Sequence, residues 1–383
     1  MKRAVFLIFP LLFIGLNTWA QDPDTLTKKE IRKEKKALKV EQGKPLFTPL
    51  AGPAYTPEMG FTVAGGVMIS YKTNPRDSLI QRSSSPVMFG VTSTGGIFAN
   101  TLLSSYWLED KLRIYGDFVY KNLPDNYYGV GYDNGFKTPE SDSTTLYQRE
   151  WWWINPRFLW QFKPNWFAGF IFDANSTKAT EPSQGVQEDE IYQQFGPDNL
   201  NIGVGFIARY DSRDVPVNAW EGLYADVRAT FYSSALGSDN TYQAYQLDLR
   251  KYFQVKRPGR TIAVQFKSRL GYGNMPYAEM SQLGTPFDLQ GYRWGQYRDK
   301  SMLFLLGEYR HMFLKSDGSL GKHGAVAWIG TGSLGETTMD YQHWLPNVGI
   351  GYRLEVQPRM NLRIDIGIGR ESAGFYFNFN EAF

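Results

Sequence analysis

The chain has 383 residues, with 41 Lys+Arg against 38 Asp+Glu and a formal net charge of +3. That balance is too even for a nucleic-acid partner, whose phosphates demand a basic stripe. Cys is absent, which excludes disulfide scaffolds, thiolate metal sites and cysteine nucleophiles together. Aromatic residues make up 16% and charged residues 21%, too aromatic for a disordered chain and too polar for a helical membrane protein.

Residues 1–20 read as a secretory signal. Lys2 and Arg3 form the charged start, Ala4 to Leu16 the apolar stretch, and Thr18-Trp19-Ala20 a small-x-small exit. The apolar run is short for a spanning helix, which needs about 20 residues. Residues 21–45 are polar and charge-dense, as in Lys28-Lys29-Glu30-Ile31-Arg32-Lys33-Glu34, and read as a periplasmic linker.

From residue 46 a period of two dominates. Leu362, Ile364, Ile366 and Ile368 alternate with Arg363, Asp365 and Gly367, and Ile262, Val264 and Phe266 alternate with Ala263, Gln265 and Lys267. Successive strand side chains point to opposite faces, so each segment has one apolar and one largely polar face. The spacing predicts strands near 61–72, 86–95, 98–108, 112–121, 147–162, 165–176, 200–211 and 222–234. Seven more fall near 241–254, 261–273, 301–313, 323–334, 347–357, 361–370 and 374–383. Connections 122–146, 177–199, 274–300 and 335–346 are long and belong at one end of a barrel. Counting back with that parity requires a further strand near 46–56, making sixteen, since single-chain bacterial barrels take an even number.

A soluble sandwich shows the same alternation. Segment length, aromatic clusters such as Trp151-Trp152-Trp153 and the closing pattern Phe375, Phe377, Phe379, Phe383 favour an all-β transmembrane antiparallel β-barrel. The terminal aromatic pattern resembles the sorting signal of bacterial outer-membrane barrels. The first strand is unusual: Pro49 and Pro53 withhold N–H groups from one edge, so a seam formed there would be short of hydrogen bonds. Extended coil over 45–57, with closure elsewhere, is the alternative.

Phe287-Asp288-Leu289-Gln290-Gly291-Tyr292, Glu308-Tyr309-Arg310, Tyr210-Asp211-Ser212-Arg213-Asp214 and Asn347-Val348-Gly349-Ile350-Gly351 together resemble the bacterial surface antigen family. That is the barrel of the BamA/TamA superfamily of outer-membrane insertases and translocators. The resemblance implies that 274–300 is a sixth loop folded into the lumen, with Leu289, Gln290, Gly291 and Tyr292 as its motif. The family's Arg is replaced by Gln290, and its Asp partner by Gly330 in Trp328-Ile329-Gly330-Thr331-Gly332. Both halves of the ion pair are gone, which leaves Arg293 or Arg298 to reach Glu308, beside Arg310. The periplasmic modules or hydrolase domain usual before such barrels do not fit into 21–45.

Enzymatic chemistry is not expected. His311, His323 and His343 have no converging spacing, and mixed-sign lumen charges more often solvate a wall than catalyse. No metal or cofactor is implied. The resemblance implies insertion or translocation of polypeptide or lipid at the outer membrane. Its partners would then be membrane lipids, with unfolded outer-membrane clients or a separate periplasmic chain. A passive solute pore or a scaffold is the competing reading.

Overall fold

The computed structural model describes residues 35, 38–39, 42–56, 59–76, 80, 82–357, 359–370 and 372–383. The expected leader and most of the polar linker lie outside these residues. The strands are β1 (Leu46–Thr56), β2 (Gly60–Tyr71), β3 (Ser83–Thr92), β4 (Ile97–Trp107), β5 (Leu112–Asn126) and β6 (Leu146–Lys163). Next come β7 (Trp166–Thr180), β8 (Asp198–Asp211), β9 (Gly222–Tyr232), β10 (Tyr242–Gln254) and β11 (Arg260–Gly273). The chain then forms a short ribbon, β12 (Ser281–Leu283) with β13 (Tyr297–Asp299). It ends with β14 (Ser301–Leu314), β15 (Leu320–Gly335), β16 (Leu345–Gln357), β17 (Met360–Ile368) and β18 (Ala373–Phe379). All but β12 and β13 close into one barrel of sixteen strands, and β1 meets β18.

Alternation decides which face each residue takes. On β17, Arg363 and Asp365 are buried while Ile366 and Ile368 are half exposed; Phe375 and Phe379 on β18 also face outward. Short turns form where the sequence supplies the right backbone. Between β6 and β7, Pro164 is followed by Asn165 at φ 67, a left-handed position that Asn tolerates.

The barrel is taller on one side. β6 has 18 residues and β5 and β7 have 15 each, against 9 in β17 and 7 in β18. Three short helices cap the tall side: α1 (Tyr132–Lys137), α2 (Gln184–Glu188) and α3 (Glu190–Phe195). The lumen is filled rather than open. Leu283, Leu289, Tyr292 and Tyr297 from the long loop pack with Phe304, Leu306, Val326, Trp328 and Leu345 from the wall.

The last strand is shorter than the expected 374–383. β18 stops at Phe379, and Asn380 at φ 63 turns the chain into the barrel mouth. Glu381 and Phe383 are buried there, at 6% exposure each. Phe383 is therefore not part of the lipid-facing aromatic row.

Candidate functional site

The inward loop is built as a stem and a tip. Its stem is the β12–β13 ribbon, and Asp288 organises the tip by accepting from the Gly284 and Thr285 N–H groups at 2.9 and 2.8 Å. Gly291 has φ +109 and lies so close to β17 that a Cβ there would sit 2.7 Å from the Gly367 backbone. Only glycine meets both demands.

The tip docks on β16–β18. The Gly291 N–H donates to the Tyr376 hydroxyl at 2.9 Å. The Tyr292 hydroxyl donates to the Pro346 carbonyl at 2.7 Å and accepts from the Arg370 N–H at 3.0 Å. Asn347 holds the Gln290 carbonyl through its amide, and Trp328 fixes that asparagine by donating to its Oδ1 at 2.8 Å. Gly367 and Gly369 make the room: a Cβ would meet the Gln290 carbonyl at 2.4 Å and the Tyr292 ring at 2.8 Å respectively. Gly330 and Gly332 on β15 accommodate Leu289 instead, with its methyls 3.4 and 3.0 Å from a Cβ at each. The expected docking of Gln290 and Tyr292 beside Gly330 is thus displaced by two strands, and only Leu289 lies there.

The charges of the lock sit on the wall. Gln290 Nε2 donates to the Pro286 carbonyl at 2.8 Å and to Asp365 at 3.3 Å. Arg363 reaches the same Pro286 carbonyl at 2.8 Å. Arg353 and Arg363 are directly opposite one another on β16 and β17, a like-charge pair that needs acids beside it. Asp365 lies 2.5 Å from Arg353 and 3.1 Å from Arg363, and Glu381 lies 2.8 Å from Arg353. A neutral Gln290 suits this docking point, because a loop arginine would add a third cation. Cross-strand arginines on adjacent lumen-facing positions were the sequence signal for the network, and the family pattern drew attention elsewhere.

The remaining candidates have other partners. Arg293 pairs with Glu140 at 2.9 Å. Arg298, wholly buried, donates to the Gly295, Tyr277 and Asn126 carbonyls and lies over the Tyr127 ring. Neither reaches Glu308, which pairs with Arg310 on its own strand at 2.8 Å; Arg310 also donates to the Phe383 carbonyl. The histidines are scattered: His311 lies by Arg257, His323 by Tyr352, and His343 stacks on Tyr132. No acid/histidine group suited to a metal occurs among the described residues.

The short-turn end is closed by a strap. Residues 212–221, between β8 and β9, fold across the mouth and bury Ala219 against Tyr252, Ala263 and Phe383. Arg359, in the β16–β17 turn, pairs with Asp214 at 2.7 Å and lies 3.6 Å over the Trp220 ring. Burial opposes ionisation of Asp214, but hydrogen bonds from Arg359 and from backbone N–H groups hold its carboxyl below the ordinary range.

The β1–β18 seam is the weak line of the wall. Among the described residues it has one registered pair, Tyr55↔Phe377, whereas the β3–β4 ladder, the next shortest in the wall, has six. Because β18 ends and its tail turns inward, the β1 stretch before Pro53 has no strand paired to it on that edge among the described residues. The β1–β2 register runs unbroken through Pro49↔Val67 and Pro53↔Val63, which fits prolines whose nitrogens face the seam. Outside, Tyr55 packs on Phe375 with ring centres 6.0 Å apart.

Solved barrels share this architecture. BamA from Haemophilus ducreyi lacking POTRA domains 1–3 aligns with a TM-score of 0.57 at 11% identity, covering 94% of this chain and 80% of that one. CdiB from Acinetobacter baumannii aligns with a TM-score of 0.52 at 11% identity, covering 94% and 69%. At such identity the likeness shows the fold alone. No curated protein matches the sequence. The Omp85 superfamily domain matches residues 90–383, from the end of β3 through the docked loop to the tail; the chain is an outer-membrane barrel and belongs to the Omp85 superfamily.

Proposed function

We propose that this barrel inserts or translocates polypeptide (or lipid) at the outer membrane by parting the β1–β18 seam. The single registered pair between those strands among the described residues carries the reading. Each buried hydrogen bond absent from a seam forfeits about 1 kcal/mol net, so this line parts before any other. A client strand could then pair with the edge of β1 and leave sideways into lipid. The prolines cut both ways, since they cheapen opening and also remove donors a client would use. Clients would be unfolded outer-membrane chains, delivered by a separate periplasmic partner.

The chain has no native Cys, so a disulfide can seal the seam cleanly. Extending the Tyr55↔Phe377 pair sets Ala54 opposite Asn378. In liposomes, oxidised Ala54→Cys/Asn378→Cys protein should lose client insertion, and reduction should restore it. Full insertion by the sealed protein would sink lateral opening and favour a pore or scaffold.

A further inference from the structure

The outer face of the wall carries a groove of about 630 Å³ over β14–β17, toward the short-turn end. Its floor is β15, where Ala325 and Ala327 are exposed between larger neighbours. In register, His311 and Tyr309 on β14 flank these alanines on one side, and Tyr352 and Ile350 on β16 flank them on the other. Neighbouring strands are about 4.8 Å apart, so the two walls stand about 10 Å apart, leaving room for one acyl chain between their side chains. Ile329, the next outward residue of β15, ends the run of small side chains and is 68% exposed.

One end of the groove is cationic. Arg257, in the β10–β11 turn, donates to His311 Nε2 at 3.1 Å and to the Met312 carbonyl at 2.7 Å. Arginine only donates, so Nε2 is the acceptor, and Nδ1 is left to donate to the Tyr309 hydroxyl at 3.3 Å. His311 thus holds the Arg257 guanidinium at the rim. Arg260 stands directly opposite His311 at the start of β11, which puts their β-carbons roughly 5 Å apart on one face. The charges of both arginines act on that ring. Among the described residues neither arginine has a carboxylate within 4.0 Å. The Arg260 guanidinium has no hydrogen-bond partner among them either, and its Nε is buried without one. Arg257 also donates to the Pro258 carbonyl, which still leaves part of its five-donor fork unused.

We propose that this groove binds an anionic phospholipid of the phosphatidylglycerol type, with one acyl chain over Ala325 and Ala327 and the phosphate between Arg257 and Arg260. Short turns of such barrels lie at the periplasmic interface, and Tyr309 and Tyr352 are amphipathic rings of the kind found at headgroup level. A phosphate there neutralises two cations that the protein leaves unpaired. A zwitterionic lipid supplies the phosphate too, but its ammonium is repelled by the same arginines. A two-fold dimer through this face would bring the unpaired arginines of two copies toward one another, so a lipid fits the charge better than a second chain. The site does not depend on whether the seam opens.

The test is native mass spectrometry of the detergent-solubilised full chain, with dioleoyl phosphatidylglycerol and dioleoyl phosphatidylethanolamine as probes. Phosphatidylglycerol should be retained more tightly than phosphatidylethanolamine. A basic residue at a membrane surface is worth about a fivefold change in lipid affinity, so Arg257→Gln and Arg260→Gln should each weaken phosphatidylglycerol by about that factor. Ala327→Phe fills the groove without touching the cations and should weaken both lipids. Lys163→Gln removes an exposed cation between β6 and β7, at the same end of the barrel, and should change neither. Heat-modifiable gel mobility checks that each variant is folded. Arg260 has no side-chain partner to lose, so its variant reads the site even if another fails to assemble. The proposal is overturned if the two lipids bind alike, or if folded Arg260→Gln keeps full phosphatidylglycerol affinity. It also falls if Lys163→Gln weakens binding as much, or if Ala327→Phe leaves it unchanged. A dimer in place of lipid adducts would make the groove an interface between copies and overturn it as well.

Discussion

Asp365 joins both arginines of the lock to the loop tip, through Arg353, Arg363 and Gln290. Replacing it with Asn leaves buried cations short of a carboxylate, a loss of about 3–5 kcal/mol for a broken buried pair. The expected result is a lower midpoint in heat-modifiable gel mobility, with the loop newly open to protease. Gly330→Asp should also destabilise, because a Cβ there meets a Leu306 methyl at 2.5 Å. Adding Gln290→Arg should not recover it, since Gln290 docks on Asp365 rather than on β15; recovery in the double variant would contradict this docking. Two loop carboxyls set a pH dependence. Burial, reinforced by Glu336 and Asp340, pushes Asp299 up to about 6 against the pull of Lys300. Glu279 is pushed to about 7 by burial and Asp173, against Arg269 and Arg149. Raised pKa values mean the folded loop favours the protonated forms. Their stability is complete below the unfolded-state pKa and is lost as pH rises through 6 and 7. Loop proteolysis should therefore quicken from pH 5 to pH 8, and Asp299→Asn with Glu279→Gln should flatten that rise. Leu289 to Tyr292 could be singled out from the sequence as a docking motif. Their partners were marked in the sequence only by the lumen-facing arginines of β16 and β17, while the family pairing pointed to β15.

Among the elements, period-two alternation made nearly every strand legible; β1 was reached instead through the even strand count, and its prolines argued for both strand and coil. Strand ends were less visible. β5, β6 and β7 run on beyond their apolar stretches because they pair with one another above it, as in Asp125↔Tyr147 and Arg149↔Ala179. No apolar period marks such an extension. The tail misled in the opposite sense: Phe383 keeps the alternation, but Glu381 is drawn inward to Arg353. Ile366 is half exposed on the outer face, so Ile366→Lys should cost about 2–4 kcal/mol and impair assembly. Gly367→Lys would be milder on alternation alone, as a lumen-facing change. The contact with Gln290 reverses that expectation, since even Gly367→Ala must displace the loop tip. Folding yield should fall for Ile366→Lys, whereas Gly367→Ala should fold and show a protease-sensitive loop. An intact loop in Gly367→Ala would refute the close approach.

At the scale of the whole molecule, the lumen is blocked twice, by the inward loop and by the strap latched through Arg359. Barrels of this strand number otherwise leave an aqueous channel. Conductance in planar bilayers should therefore be low. Shortening the tip across 284–296, or making Arg359→Ala, should change it little alone, and the combination should raise it toward that of an open sixteen-strand pore. A large rise from either single change would mean that one end was already open. The unequal heights of the wall reach beyond the protein. At about 3.3 Å per residue, the 7 residues of β18 extend roughly 23 Å before tilt, and tilt shortens that further. The apolar band of such barrels is about 25 Å tall, so lipids on the β18 side of the seam must compress to meet it, while those beside the 11 residues of β1 or the 18 of β6 need not. The bilayer on that side is then thinnest where the wall is weakest, so in the seam opening proposed above part of the work would be done by the membrane.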